Sequence, residues 1–450
     1  MTVDTAQPAP SRYGNARPLS LVERANASKT TFILALFVTL TGKPCAKLVP
    51  VEAAEMLETE GVGFAGYAAG GMGQLPKDPD LIAIPDKASF MPIPFVRPGL
   101  AIVHCDPHVD GKPWPYSPRV ILKAALRKAA DLGLSVDVGA EIEYFLVVRG
   151  ADGALTVADS ADLSAQPCYD ARGVTRMYDH LADISHAMNA LGWGNYANDH
   201  EDGNGQFEQN FEFADALSTA DRVITARYLL SVIAERRGMQ ATFMPKPFGD
   251  RTGTGMHMHL SLSDASGQLF PDPADQKGLG LSSTAYSFIA GILDHACALQ
   301  AVIAPTVNSY KRTGATSTAS GATWAPQAAS YGGNDRTHFL RVPDHNRVEL
   351  RGADGSANPY LATAATVTAG LDGMARGLDP GVPGSRTGPG LPLTLLHAVD
   401  ALDADAVVRG SLDGAGAGVA DYFAALKREE FFDWHNTVSA WEVDRYLTAF

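Results

Sequence analysis

Two glutamates, Glu141 and Glu143, alternate along a predicted strand that reads VDVGAEIEYFLV. Side chains two residues apart in a strand point to the same face, about 6.5 Å apart along the chain. Two buried carboxylates at that spacing repel each other unless cations neutralise them. Mg²⁺ and Mn²⁺ prefer oxygen ligands, so the pair is a candidate site for divalent metal ions. An exposed edge strand with solvated glutamates fits the same pattern, and the pair alone does not decide between the two interpretations.

Two further segments carry residues of the same chemical types. HEDGNGQFE, residues 200–208, places Glu201 and Glu208 around a glycine turn, although a polar surface loop has the same composition. MHMHLSL, residues 256–262, alternates as a strand, so His257, His259 and Ser261 share one face and the apolar side chains share the other. The glycine-rich approach to this strand, residues 249–255, allows the backbone to come close to a ligand. A lone histidine is more often part of a core, so the pattern only modestly favours a metal or ligand site.

Arginines supply the positive charge that such a site needs. In RVELR, Arg347 and Arg351 share a strand face with Glu349, which fits an ion-pair ladder as well as a site for anions and a metal. Guanidinium groups bind carboxylate and phosphate through paired hydrogen bonds. Phosphoryl transfer needs mainly positioning and charge neutralisation, which these carboxylates, imidazoles and arginines can supply without a Walker A motif. The remaining candidates of this type are Arg312, Arg336 and Arg341.

Composition narrows the class of protein. The chain has 450 residues, 46% of them hydrophobic, which is typical of a globular enzyme of about two domains. A net charge of −14 argues against nucleic acid as a partner, since phosphate backbones require a basic surface. The apolar run at residues 31–40 is too short to cross a bilayer, so we expect no membrane association. Four scattered cysteines without a CxxC motif indicate reduced thiols and a cytoplasmic protein.

Periodicity and turn signals predict the elements that position these residues. A hairpin is expected at residues 31–50, a short helix at 51–60, and an irregular small domain at 76–114. The GxGxxG match at residues 61–66 lacks a βαβ context and is interpreted as a flexible turn. Low-complexity residues 313–323 are interpreted as a mobile flap. Helices are predicted at residues 119–132, 174–191, 220–237 and 283–303, and strands at 135–148, 256–262 and 347–351, followed by mostly helical structure.

Several of these segments, in order, resemble the glutamine synthetase family. The matching pieces are AEIEYFLV, HEDGNGQFE, MPKPFGDRTGTGMHMHLSL, PTVNSYKR, NDRTHFLRVP and NRVELRGADGSANPYL. The resemblance extends from about residue 30 to the C-terminus, and NDHEDGNGQFE and SGATWAP look most like the type III and γ-glutamylmethylamide synthetase branch.

The resemblance implies an α+β fold. After a flexible tail at residues 1–18, it implies an N-terminal β-grasp domain at 19–115 and a catalytic domain at 116–450. The catalytic domain would contain a curved antiparallel sheet that forms a funnel. It further implies a homo-oligomer of stacked hexameric rings, a dodecamer, with active sites shared between neighbouring copies.

The resemblance also assigns roles residue by residue. Glu143, Glu201 and Glu208 would bind one metal ion, and Glu141, His257 and Glu349 the other. Gly253, Arg312 and Arg351 would hold the substrate glutamate, with Arg336 at the transferred phosphate and both Arg336 and Glu349 counted as catalytic. ATP would contact His259, Ser261, Arg336, Arg341 and Arg347. The family reaction forms γ-glutamyl phosphate from glutamate and ATP, and an amine then attacks the acyl carbon.

Two departures from the family pattern concern the amine. Trp324 stands where ammonia-using members carry the glutamate of a GYEAP flap, and Thr39 stands where they carry an aspartate. Without those two anions, the site suits an amine that carries carbon, such as methylamine, a larger alkylamine or an aromatic amine. Thr252 replaces an asparagine that commonly precedes Gly253, and the tyrosine of the usual adenylylation loop has no clear match, so no regulation of that kind is expected.

Three other functions remain as alternatives. Ordinary glutamine synthesis is possible if another group deprotonates ammonia. A non-catalytic regulatory protein would not need the complete set of metal ligands, and a metal-dependent amidohydrolase would not need the arginines. The leading hypothesis is therefore an ATP-dependent γ-glutamyl amide ligase that uses an organic primary amine.

Overall fold

A computed structural model describes residues 19–151, 153–315, 318–319, 324–385 and 388–450. The predicted tail at residues 1–18 lies outside the described residues, as does most of the predicted flap at 313–323. Two sheets organise the described part of the chain, and helices cover them.

The first sheet has seven strands in the order β2-β1-β6-β4-β3, with β5 and β7 also paired to β6. The hairpin predicted at residues 31–50 is confirmed as the antiparallel pair β1 and β2. β1 pairs in parallel with β6, whereas the other pairs of this sheet are antiparallel. The strands are β1 (Phe32–Val38), β2 (Pro44–Pro50), β3 (Val62–Phe64), β4 (Leu81–Pro85), β5 (Met91–Pro92), β6 (Leu100–Val109) and β7 (Lys112–Pro113).

The N-terminal region is more regular than its sequence indicates. The GxGxxG segment is not a flexible turn throughout, because residues 62–64 form β3 against β4. The predicted irregular region contains β6, whose ten residues pair with four other strands. Prolines there interrupt the apolar periodicity from which strands are recognised, although proline is tolerated at strand edges and ends.

Strand β1 is buried on both faces, as its continuous apolar sequence indicates. Ile33, Ala35 and Phe37 pack into a small core, whereas Leu36 and Val38 belong to the large core shared with the rest of the chain. The first sheet is therefore joined to the remainder through an apolar face.

The second sheet has eleven strands in the order β10-β11-β8-β14-β18-β17-β16, with β9, β12 and β13 paired to β8 and β15 to β14. It is mixed rather than purely antiparallel, because β16 runs parallel to β17 while the other pairs are antiparallel. The strands are β8 (Ser135–Arg149), β9 (Leu155–Val157), β10 (Asn195–His200), β11 (Gln206–Phe211), β12 (Ala214–Asp215), β13 (Gln240–Thr242), β14 (Met258–Asp264), β15 (Gly267–Gln268), β16 (Tyr331–Gly332), β17 (Leu340–Asp344) and β18 (Arg347–Leu350).

The helices follow the predicted periodicity closely at α4 and α7 and less closely elsewhere. The described helices are α1 (Leu21–Ala27), α2 (Ala54–Glu60), α3 (Gly66–Ala69), α4 (Pro118–Asp131), α5 (Ala171–Arg176), α6 (Tyr178–Ala190), α7 (Ala216–Glu235), α8 (Ser283–Asp294), α9 (Ala296–Ile303), α10 (Ser309–Thr313), α11 (Pro359–Arg376), α12 (Leu395–Ala404), α13 (Ala406–Leu412), α14 (Val419–His435) and α15 (Ala440–Tyr446). Short 3₁₀ turns lie at Val51–Ala53, Lys87–Ser89 and Asp413–Ala415.

Two predicted helices are each divided in two. The helix expected at residues 174–191 is α5 and α6, separated at Met177. The helix expected at residues 283–303 is α8 and α9, which meet at 74° around His295. The His295 ring is hydrogen-bonded to Asp405 through Nδ1 (2.6 Å) and to Asp372 through Nε2 (3.1 Å), which holds this bend.

Within the described residues, no single helix has both the length and the hydropathy of a membrane span. The bent pair α8 and α9 has the length and hydropathy of a membrane span only when the two helices are counted as one. Most of the apolar side chains of this pair are buried in the large core.

Candidate functional site

A cavity of about 540 Å³ gathers most of the predicted site residues. Strands β8, β10 and β11, the segment before β14, and the arginine-bearing segments around β17 and β18 contribute to its walls. Predicted residues that line it are Glu141, Glu143, Glu201, Glu208, Gly253, His257, Arg312, Trp324, Arg336, Arg341 and Arg351.

Strand register brings the carboxylates together. Glu143 on β8 lies directly opposite Glu208 on β11, and Glu141 lies opposite Asn210. Glu201 follows the last residue of β10, so the hairpin between β10 and β11 carries both of its glutamates to the same cavity. The segment 200–208 is therefore a buried hairpin and not a surface loop, because glycines at 203 and 205 permit a tight turn between two paired strands.

The two histidines of MHMHLSL share a single carboxylate. Glu141 is hydrogen-bonded to His257 Nδ1 through Oε2 and to His259 Nε2 through Oε1, each over 2.8 Å. His257 Nε2 also lies 3.6 Å from Glu143 Oε1. The strand itself begins at Met258, so His257 precedes it, but the alternation of faces is as predicted.

The pKa values of the cavity glutamates are shifted by burial and by neighbouring charged groups. Burial, Glu143 and other nearby acids raise the pKa of Glu201 well above its usual value. Burial, together with Glu141, Glu201 and Glu143, does the same to the pKa of Glu208. Burial also acts to raise the pKa of Glu141, but hydrogen bonds with His257 and His259 outweigh it and hold that pKa well below its usual value. Carboxylates that destabilise one another in this way are matched by divalent cations.

Among the described residues, four groups of side chains have the compactness of metal sites, and two of them contain Glu141. The other two are Cys168 with Glu201 and Asp202, and Asp294 with His295 and Asp372. In the two that contain Glu141, donor atoms of Glu141, Glu208 and His257 lie within 4.8 Å of one another, and so do those of Glu141, His259 and Glu349. The chemistry of these donors therefore fits divalent metal ions. The grouping differs from the two sets implied by the family resemblance, because Glu141 belongs to both of these groups and His259 joins one of them.

Glu349 on β18 is fully buried between two arginines. Arg341 Nη1 donates to its Oε2 over 2.6 Å, and Arg351 Nη1 donates to its Oε1 over 2.5 Å. Burial raises the pKa of Glu349, but His257, Arg351 and His259 more than compensate, so the pKa lies below its usual value. The carboxylate is therefore held ionised behind Arg341 and Arg351, which line the cavity, although Glu349 itself does not line it.

Other arginines have no carboxylate partner. Among the described residues, neither Arg312 nor Arg336 forms a salt bridge, although Arg312 is buried and both line the cavity. Within the described part of the chain, Arg312 donates to the backbone oxygens of Gly352 and Arg351, each over 3.3 Å. A Cβ at Gly253 would lie 2.4 Å from Arg312 Cγ, so only glycine permits this close approach. Two cavity guanidinium groups are thus available for an anionic ligand.

Some predicted residues lie outside the cavity lining. His259, Ser261 and Arg347 form a flank beside it, where Arg347 Nε donates to His259 Nδ1 over 3.1 Å. Thr39 does not line this cavity within the single chain: its side chain is fully buried, and its Oγ1 lies 3.0 Å from Thr41 Oγ1 and accepts from the Lys43 N–H. Its assignment to the amine site stays a prediction.

The sequence patterns did not single out several cavity residues. Cys168, Tyr169 and Asp202 line the same cavity as Trp324, and Asp202 contacts Trp324 directly. Sequence QPCYD at 166–170 has no periodicity that marks it, whereas Asp202 lay inside the recognised HEDGNGQFE segment. Burial, Glu201 and Asp202 raise the pKa of Cys168 to about 12, so its free thiol is protonated near neutral pH.

The sheet, its helices and this cavity define an α+β protein with a polyanionic, metal-compatible site faced by unpaired arginines. The family model for the glutamine synthetase catalytic domain matches residues 115–446. The chain therefore belongs to the glutamine synthetase family.

Individual relatives support the same placement. The chain is 41% identical to the glutamate–methylamine ligase of Methyloversatilis universalis, over 94% of this chain and 97% of that protein. It is 40% identical to a glutamine synthetase of Rhizobium leguminosarum bv. phaseoli, over 95% of this chain and 99% of that protein. A solved structure of a GmaS–ADP complex is similar at a TM-score of 0.89 and 44% identity, covering 95% of this chain and 99% of that one.

Proposed function

We propose that this protein is an ATP-dependent ligase that joins the γ-carboxylate of glutamate to a primary organic amine. The γ-carboxylate attacks the terminal phosphorus of ATP, which releases ADP and forms γ-glutamyl phosphate. The amine nitrogen then attacks the acyl carbon and phosphate leaves. For an alkylammonium ion the balance is glutamate + ATP + RNH₃⁺ giving the γ-glutamyl amide, ADP, phosphate and one proton.

One observation carries this proposal: a metal-compatible carboxylate and imidazole cluster shares a cavity with two unpaired arginines, and Trp324 stands at one end of it. Phosphoryl transfer between two anions requires neutralisation of their charges, which this combination supplies. The similarity to a glutamate–methylamine ligase and to GmaS structures supports the same reaction.

Divalent metal ions, Mg²⁺ or Mn²⁺, would be held by the carboxylates and His257. Bound metal would neutralise phosphate oxygens during transfer. The proposed ligands are Glu141, Glu143, Glu201, Glu208, His257 and Glu349.

Different arginines would bind the two anionic substrates, glutamate and ATP. Arg312 and Arg351, with the close backbone approach at Gly253, would bind the substrate glutamate, and Arg336 would lie at the transferred phosphate. ATP would occupy the flank that carries His259, Ser261 and Arg347, and would contact Arg336 and Arg341 in the cavity. Glu349 would both hold metal and fix the two arginines that bond it, so Arg336 and Glu349 are proposed as catalytic.

Ordinary glutamine synthesis is the second candidate, since relatives at about the same identity are glutamine synthetases. Trp324 favours the organic amine, because an exposed aromatic ring at the cavity gains contact with a carbon-bearing substrate and not with ammonia.

The larger organisation is proposed from the family. Residues 19–115 would form the β-grasp domain and 116–450 the catalytic domain, assembled as stacked hexameric rings. A cytoplasmic location is proposed because ATP is the co-substrate and Cys45, Cys105, Cys168 and Cys297 are free thiols.

Release of ADP, measured with glutamate, ATP and Mg²⁺ across a panel of amines, tests the function. We expect the highest kcat/KM with a primary alkylamine such as methylamine and a much lower value with ammonia. Highest efficiency with ammonia would replace the proposal with glutamine synthesis, and no turnover with any amine would favour a non-catalytic protein.

A further inference from the structure

One cavity carboxylate, Asp202, has no role in the arrangement proposed above. It lies directly after Glu201, and its backbone N–H donates to Glu201 Oε2 over 3.1 Å. Its own carboxylate accepts a hydrogen bond from the indole N–H of Trp324 at Oδ2 over 2.8 Å. An acid and an aromatic ring that are 122 residues apart in sequence therefore meet at this end of the cavity.

A second aromatic residue, Tyr169, lines the same cavity close to Cys168 and Glu201. Tyr169 is 68% exposed and has a backbone φ of +61°, which non-glycine residues rarely adopt. Its N–H donates to the backbone oxygen of His200 over 2.8 Å, so the hairpin that carries Asp202 also holds Tyr169. A strained conformation that its surroundings enforce is typical of residues that serve a site.

The combination matches one class of ligand. A small alkylammonium ion has a cationic head, which prefers a carboxylate, and an apolar tail, which prefers contact with aromatic rings. The indole N–H occupies one lone-pair position of Asp202, and an ionised carboxylate offers about four. Asp202 can therefore hold Trp324 and a cationic head at the same time.

We infer that Asp202 binds the ammonium head of the amine acceptor while the rings of Trp324 and Tyr169 contact its alkyl group. This inference rests on the proposed ligase function. In it, Asp202 is the residue that makes the site selective for an alkylammonium acceptor. Asp202 has two competing roles: it could serve only to anchor Trp324, or it could hold a metal ion together with Glu201 and Cys168, whose donor atoms lie within 4.8 Å of its own.

Two variants separate these roles. Asp202→Asn retains an oxygen that can accept the indole hydrogen bond but removes the charge, so we expect the KM for methylamine to rise about ten- to a hundredfold. Trp324→Phe removes the N–H donor but keeps an aromatic ring, so we expect a much smaller rise. Asp183→Asn, which removes an exposed carboxylate on α6 outside the cavity, is the charge-matched control and should leave the KM for methylamine unchanged.

Hydroxylamine, which is mostly uncharged near neutral pH, serves as the second acceptor. For Asp202→Asn we expect little change in the KM for hydroxylamine or for glutamate, because neither depends on an anion that binds a cationic head. If the variant does not accumulate as folded protein, Asp202→Ser tests the same loss of charge.

Outcomes for the inference and for the function are distinct. An unchanged methylamine KM in Asp202→Asn, or an equal rise for hydroxylamine and methylamine, would overturn the role of Asp202 while the wild-type protein still makes the amide. Absence of turnover with every amine of the panel in the wild-type protein would instead overturn the ligase function itself.

Discussion

At the residue scale, the site places several carboxylates so close together that they repel one another unless a cation neutralises them. Glu143 and Glu208 face each other across β8 and β11, and Glu201 lies in the same cavity. Strand alternation identified Glu143 from the sequence, whereas Glu201 and Glu208 were assigned through the family resemblance of the HEDGNGQFE segment, whose composition also fits a surface loop. Contacts between segments that are distant in sequence were not predictable, because no local pattern encodes them. The hydrogen bond between Trp324 and Asp202 is an example.

Because of this repulsion, replacing one of the glutamates should stabilise the metal-free protein and weaken its stabilisation by metal. Glu208→Gln removes a carboxylate whose raised pKa reflects burial and three neighbouring acids, while an oxygen remains to accept the hydrogen bond from Asn210. We expect the melting temperature in EDTA to rise by about 1 °C, since about 1 kcal/mol of repulsion is relieved in a chain of 450 residues. The stabilisation that Mn²⁺ gives the wild-type protein should be largely lost.

Circular dichroism melts with and without Mn²⁺ measure both effects. A variant that melts lower than wild type in EDTA, or that keeps the full Mn²⁺ shift, would contradict the proposed metal site.

At the element scale, regular segments such as β8, α4 and α7 followed their sequence periodicity, whereas the bend between α8 and α9 did not. The apolar pattern continues through residues 283–303, but His295 is held by Asp372 and Asp405, which lie 77 and 110 residues further along. A bend fixed by such distant partners has no signal in a short sequence window.

Helices α8 and α11 also pack more closely than any side chain would allow. A Cβ at Gly291 would lie 2.2 Å from the backbone oxygen of Ala369, and one at Gly373 would lie 2.2 Å from that of Ser287. Gly→Ala inside a helix normally stabilises by about 1 kcal/mol. We expect Gly291→Ala instead to destabilise by about 1–3 kcal/mol, because the backbones must separate.

Gly410→Ala in α13 is the matched control, since nothing lies within 4 Å of a Cβ built there. Urea denaturation should show this control equal to or more stable than wild type. Equal stability of both variants would show that the contact between α8 and α11 is looser than described.

At the scale of the whole molecule, one buried guanidinium joins the two sheet regions. Arg119 on α4 donates to Asp86 and Asp106 from the N-terminal region and to Asp221 on α7, each over 2.9 Å. Tyr360 on α11 completes the cluster through a 2.6 Å hydrogen bond to Asp221. No sequence motif marks these residues, because each lies in a different element.

Arg119→Met should therefore destabilise the protein by about 3–5 kcal/mol, since it leaves three carboxylates without their shared partner. Burial raises the pKa of Asp86, but Arg119 and Lys123 lower it to about 2. That stabilisation is complete above the unfolded pKa of about 4 and is lost as the pH falls towards 2. The variant should consequently lose less stability than wild type on acidification.

Urea denaturation at neutral and acidic pH tests this, with Lys87→Met as the control. Lys87 is 40% exposed and pairs only with Glu58 among the described residues, so its loss should cost less than about 1 kcal/mol. An Arg119→Met variant no less stable than the control would mean that the apolar interface alone joins the two regions.

The Arg119 cluster has a consequence for protein engineering. A chimera that takes its first hundred or so residues from another family member must bring acids at the positions of Asp86 and Asp106, or it inherits a buried cation with only Asp221 to neutralise it. Libraries built by recombining relatives should therefore keep these positions together with Arg119 in a single exchanged block.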